Sequence, residues 1–271
     1  MTRPPGGLLG LSLVAAVLAT ATSLAGIFWP GAYARETAAW AVQGVGQDAA
    51  NLPVVVLLVW SAAWLRGRGS LPALCVWLGG LVYLIYAFAL YAFAVHFGVL
   101  FLAYVGVLGL SFHAFVGTLA GLDVVAASAP LRDQPSRNGA SNLLVFIGVM
   151  FAGLWLAEDI PHVVNGTPPP SLGETGLWTN PVHVLDLAVF LPAMIVVGVQ
   201  LRRGRPWGLL LAPVLLIFAA MMGVAILALF ALSAARGLRV PAPAAIVVGA
   251  IVTLSTWYAW RLLGTSSAQC L

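Results

Sequence analysis

Lysine is missing from this chain altogether, and charge of either sign is scarce. The 271 residues hold 12 basic residues, all arginine, 8 acidic residues and 4 histidines, so that 7% of the chain is charged, against about 25% in a soluble domain. With 62% of its residues hydrophobic, the chain lacks the polar surface a soluble fold needs, and the sequence calls for a bilayer as solvent. The net charge of +4 is spread over segment ends and forms no polybasic run, which excludes nucleic acid as a partner. Cysteine is limited to Cys75 and Cys270, which offer neither metal-ligand spacing nor a disulfide framework. No H-E-x-x-H pair and no phosphate-cradling glycine motif occurs. The 29 glycines read as turn and helix-packing residues.

What the chain does have is long apolar runs. A helix needs about 20 such residues to cross the hydrocarbon core. Eight segments qualify: 7–29, 47–65, 71–95, 99–120, 142–159, 183–201, 208–233 and 241–262. Unbroken runs of this length predict helices rather than a barrel. The first segment also carries signal-peptide features, Arg3 and Ala19-Thr20-Ala21, but its apolar core exceeds the 7–15 residues of a signal core, so a retained helix is expected. With the N-terminus inside, nine arginines fall on the cytoplasmic side (3, 66, 68, 132, 137, 202, 203, 205 and 261) and three outside (35, 236 and 239). That bias predicts a cytoplasmic membrane protein with both termini inside. Tryptophans cluster near both ends of the segments, as an aromatic belt does.

Two aspartates open two similar segments. Asp48 precedes Pro53 and the Arg66-Gly-Arg68 turn; Asp186, 138 residues later, precedes Pro192 and Arg202-Arg203-Gly-Arg205. Each stands second in a run of four segments, which predicts a 4+4 parallel repeat. The expected organisation is a unit over 1–125, a cytoplasmic linker over 126–141 and a second unit over 142–271. Taken from Pro53 to Leu65 alone, the second helix would reach only ~20 Å across a core of ~30 Å, so Asp48 and Asn51 are expected within the bilayer near its outer face.

Most other strong polar groups fall at the same expected level: His96, Glu158, Asp159, His162 and His183. His183 and Asp186 are three apart and share a helical face. Imidazoles with carboxylates form a ligand set for zinc or iron, and such a metal could activate water. Without metal the same groups could act as general acid and base. The leading expectation is an outward-facing pocket that binds a divalent metal ion or a small polar ligand, with Asp48, His183 and Asp186 at its core and His162, Glu158, His96 and Asn51 in support. A small-solute or ion transporter is the alternative, with His113 and Tyr104 as an inward relay. A structural or assembly role, with the acids as helix-start groups favoured by the macrodipole, is the third. No oligomeric state follows.

The chain resembles a family of uncharacterised bacterial multi-spanning membrane proteins. The resemblance rests on Gly46-Gln47-Asp48, Arg66-Gly-Arg68-Gly, Tyr86 … Tyr91 … His96-Phe-Gly … Phe101-Leu, and Pro181-Val-His183-Val-Leu-Asp186-Leu … Leu191-Pro192, and covers most of the chain. It implies an inner-membrane helix bundle and no activity. Gly98-Val99 stands where that pattern carries Asn-Pro.

Overall fold

The computed structural model describes residues 4–237, 240 and 242–264; Arg3, Arg239 and Cys270 lie outside them. The described chain is all α. In order come α1 (Gly6–Phe28), a 3-10 turn (Pro30–Tyr33), α2 (Ala38–Arg68), α3 (Leu71–Ala94) and α4 (Phe101–Gly121). The short α5 (Val124–Ser128) and a 3-10 turn (Ala129–Leu131) lead to α6 (Arg137–Asn165) and the short α7 (Pro170–Thr175). Then α8 (Pro181–Leu185) runs through a π turn (Asp186–Phe190) into α9 (Leu191–Arg202), followed by α10 (Pro206–Ala235) and α11 (Ala242–Gly264). With α8 to α9 taken as one rod, eight described helices are long and apolar enough to cross a membrane.

The lateral surface fits a bilayer as solvent. Val17, Phe93, Leu102, Val163 and Ile246 stand more than two-thirds exposed around the bundle, where a water-soluble protein would carry charge. α3 is the most deeply enclosed span, because it packs against α2, α4 and α10 together. Its apolar residues run all round the helix, as a buried helix requires. α1 packs on α2 and α4, and α3 on the same two; α6 packs on α9 and α11, and α10 on the same two; α10 then lies against α2 and α3. Helix starts are set locally. The Thr37 hydroxyl accepts from Trp40 N–H, Ser70 from Ala73, and the Asn180 side chain from Val182 and His183, each satisfying an orphan donor.

Two helices depart from the expected bounds. α2 starts at Ala38, not near residue 47, so Asp48 sits ten residues inside it, ~15 Å from its start at 1.5 Å per residue. Gln43, Gly44, Gly46 and Gln47 dilute the hydropathy there without breaking the helix. Pro53 is carried inside the rod. α6 continues past residue 159 to Asn165 through Pro161.

Arginines gather at one end of the bundle. The end of α2 (Arg66, Arg68), the α4–α6 connection (Arg132), the start of α6 (Arg137), the end of α9 with its turn (Arg202, Arg203, Arg205) and the end of α11 (Arg261) hold eight of the ten described ones. The opposite end carries Arg35, Arg236 and most of the acids and histidines.

Candidate functional site

Asp48 is 1% exposed, and its surroundings are shaped to receive it. Tyr33, from the turn between α1 and α2, donates its hydroxyl to one carboxylate oxygen at 2.6 Å. Tyr91 of α3 donates to the other at 2.9 Å. Ser23 of α1 is a third hydroxyl neighbour. Among the described residues no cationic group joins them, so a carboxylate in apolar surroundings is held by hydroxyl dipoles alone. Burial, and next the nearness of Asp48, drives the Tyr33 ionisation well above the ordinary phenol range, which keeps that donor protonated. Two glycines make the room: a Cβ on Gly26 would run into the Asp48 carboxylate, and one on Gly44 would reach the Tyr33 ring at 2.6 Å.

One helical turn on, Asn51 extends the network. Its amide donates to Ser23 at 3.0 Å and its carbonyl accepts from the Tyr83 hydroxyl at 3.0 Å. Gln47 donates to Tyr83 at 2.7 Å and to Asn51 at 3.2 Å. The asparagine is fully buried, so these partners are what make it tolerable in a span.

Asp186 has a different setting. It is half-buried at the start of the π turn, where the Leu191 N–H reaches back to the Asp186 carbonyl. Pro192, which follows directly, has no N–H to continue an α ladder, and single π turns of this kind recur at functional sites. Trp155 of α6 donates to the Asp186 carboxylate at 2.8 Å, and the Tyr86 hydroxyl of α3 is its second neighbour. His183 lies one turn back and is buried. Its ring stacks on Trp155 at 4.4 Å, and its Nδ1 pairs with Asp159 at 3.0 Å. His183 and Asp186 thus address the same indole from α8 and the π turn.

Among the described residues the two aspartates share no hydrogen-bonding partner. Each engages a tyrosine of α3, Asp48 Tyr91 and Asp186 Tyr86, and both tyrosines line one cavity of about 390 Å³ between α2, α3, α6, the α8–α9 rod, α10 and α11. Apolar side chains such as Phe190, Phe218, Met222 and Ile251 form most of its wall. Gln43, Gln47, Trp40, Trp155 and Asp186 supply the polar points, and Asp186 is the one carboxylate lining it among the described residues. Trp40 closes one side with a hydrogen bond to the Ala94 carbonyl at 2.9 Å.

The remaining expected residues go elsewhere. His96 is exposed and pairs with Glu36 at 3.0 Å. His162 meets Thr167 at 3.2 Å. Glu158 accepts from Ser171 at 2.7 Å. His113 is exposed on α4, turns to the Gly109 carbonyl of its own helix at 2.7 Å and is not among the residues lining the cavity. Tyr104 stacks on Tyr91 at 5.1 Å, beside the Asp48 network. No group of three or more His, Cys, Asp or Glu among the described residues could hold a metal ion. The metal pocket expected from sequence therefore has no ligand set among them, because each histidine finds its own local partner.

Tyr33, Trp155, Tyr86 and Tyr91 do not figure among the site residues expected from sequence. The signal was there in part: a tyrosine within a span needs a hydrogen-bond partner, and Gly26 and Gly44 mark close approaches. Comparison with known proteins adds no relative, since no family model, no curated protein and no solved structure matches the chain.

Proposed function

We propose that this membrane protein binds a small amphipathic molecule in the cavity between α2, α3, α6, α9, α10 and α11, and that Asp186 receives the ligand's hydrogen-bond-donating or cationic head. The observation that carries this is the half-buried Asp186 carboxylate, the one charged group among the described residues lining a mostly apolar and aromatic wall. Small-molecule sites have this make-up: apolar lining with a few placed polar groups. Trp155 and Tyr86 occupy part of the carboxylate's capacity, leaving lone pairs for a ligand. The rings of Trp40, Trp155, Tyr86 and Tyr91 suit an ammonium group. No histidine lines the cavity among the described residues, so hydrolysis by a paired acid and base has no support in this wall.

The cavity also falls where a 4+4 repeat would put a site. Under that reading, residues 1–125 and 142–271 are two units joined by a linker over 126–141. Its support is the neighbour order common to both runs of four spans, first on second and fourth, third on second and fourth, to which the second run adds a smaller contact of α6 on α10. The third spans, α3 and α10, pack against one another, as elements next to a pseudo-two-fold axis would. Arginine placement supports an Arg-rich cytoplasmic side and a cavity nearer the outer side.

The test uses three probes of one shape: phenethylammonium, phenethyl alcohol and phenylacetate, titrated against the thermal unfolding of detergent-solubilised protein. The cation is expected to stabilise most and the anion not at all. Asp186→Asn should weaken the cation at least tenfold, about 1.4 kcal/mol. Equal responses to all three probes would overturn the reading. Transport is the second reading, favoured by Tyr91, which joins the cavity to the buried Asp48; uptake of phenethylammonium into proteoliposomes decides it.

A further inference from the structure

At the arginine-rich end, α6 and α9 enclose a groove of about 800 Å³ that is separate from the cavity above. Its walls are Val145, Phe146, Val149, Met150 and Val199, and its mouth carries Asn142, Arg202 and Arg203. Phe146 and Val149 stand more than half exposed, on a surface that faces lipid. The groove is open to the side and apolar along its length, with charge at one end only. That is the profile of a phospholipid lying along a helix pair.

No carboxylate lines the groove among the described residues, so the charge at its mouth is of one sign. Arg202 donates to the Asn142 side-chain oxygen, which uses part of a guanidinium's five donors. A third guanidinium, that of Arg137, sits at the same turn: it lies within 3.6 Å of where a Cβ on Gly204 would be and donates to the Arg132 carbonyl at 2.6 Å.

Backbone geometry sets these arginines in place. α9 ends in a Schellman cap, with Arg205 N–H on the Gln200 carbonyl and Gly204 N–H on the Leu201 carbonyl, both at 3.0 Å. Gly204 takes φ +65°, a conformation that favours glycine. The cap gives the Gln200 and Leu201 carbonyls hydrogen-bond partners. α6 begins at this end, so its positive dipole end adds to the arginines.

We infer that the α6–α9 groove is a binding site for an anionic phospholipid, whose phosphate is held by Arg202, Arg203 and Asn142 while an acyl chain lies along Val145, Val149 and Val199. Basic pockets between spans are known to take such head groups. A zwitterionic lipid offers the same chains but cancels the charge, so discrimination by head group is the signature.

The experiment measures lipid retention on the delipidated full-length protein by native mass spectrometry, with phosphatidylglycerol and phosphatidylcholine of identical chains. Wild type is expected to retain phosphatidylglycerol at least fivefold better. Arg202→Gln/Arg203→Gln should erase the preference, while Arg236→Gln, at the opposite end, should keep it. Val149→Trp, which fills the groove and leaves the arginines, should lower phosphatidylglycerol retention as well. Equal retention of the two lipids by wild type, or an unchanged preference in the double variant, overturns the inference. Displacement of the lipid by soluble glycerol phosphate also overturns it, since that marks a free-phosphate site.

Discussion

Asp48 carries the highest stakes of any single side chain here. Removing it takes the strong acceptor from two buried phenols: Tyr33 loses its carboxylate partner, and the Tyr91 hydroxyl keeps only the Gly44 carbonyl at 3.4 Å as acceptor. Each unsatisfied buried group costs about 1–3 kcal/mol. Asp48→Ala is therefore expected to destabilise by about 2–5 kcal/mol, and Asp48→Asn by clearly less, because the amide oxygen still accepts one phenol. Thermal unfolding in detergent ranks the two; equal losses would mean that packing, not hydrogen bonding, fixes the position. Tyr33 gives a pH test. Its folded-state ionisation is raised by burial first and by Asp48 next, above an unfolded value of about 10. The stability it contributes is thus complete below pH about 10 and is lost as pH climbs beyond that, towards the folded value. An alkaline scan should show Tyr33→Phe falling less steeply than wild type above pH about 10; parallel curves would remove the phenol from the effect.

Elements decide where these residues point. The α6–α9 contact is close because Gly148 and Gly198 have no side chain: a Cβ on Gly148 would come within 2.9 Å of the Leu191 carbonyl, and one on Gly198 within 3.1 Å of the Ser141 carbonyl. Ser141 adds a hydrogen bond to the Gly198 carbonyl at 2.7 Å. Small residues permitting such approach drive helix pairing in lipid. Gly148→Leu is expected to push α9 away, part Trp155 from Asp186 and weaken phenethylammonium binding at least tenfold, about 1.4 kcal/mol, read in the same thermal titration; unchanged binding would uncouple the helix contact from the site. The spans were legible in the sequence because each holds about twenty apolar residues. Asp48 and Asp186 stood out too, since carboxylates in such runs need a reason. The start of α2 was misplaced, because Gln43 and Gln47 lower hydropathy while remaining good helix residues; the Thr37 cap was the overlooked boundary signal. The rotation of α3 that turns Tyr86 to one acid and Tyr91 to the other depends on packing against α2, α4 and α10 together. No local pattern encodes that.

At the scale of the whole molecule, the histidines that look like a cluster in sequence take separate partners, and tyrosines outside the expected site assemble. His96, His162 and His183 stand near one end of the bundle, yet each is committed to Glu36, Thr167 or Asp159. Tyr86 and Tyr91 converge on one cavity because α3 packs against both α2 and α10. What remains between those helices is a space with one carboxylate on its described wall. The most direct measurement is chemical protection of a thiol placed in that wall. Met222→Cys, on the cavity wall, is introduced with Cys75→Ser and Cys270→Ser and treated with a small maleimide in proteoliposomes. Labelling of the introduced thiol that phenethylammonium slows at least fivefold, about 1 kcal/mol, is the expected result. A thiol that never reacts, or one whose labelling the cation leaves unchanged, would contradict a ligand-accessible cavity.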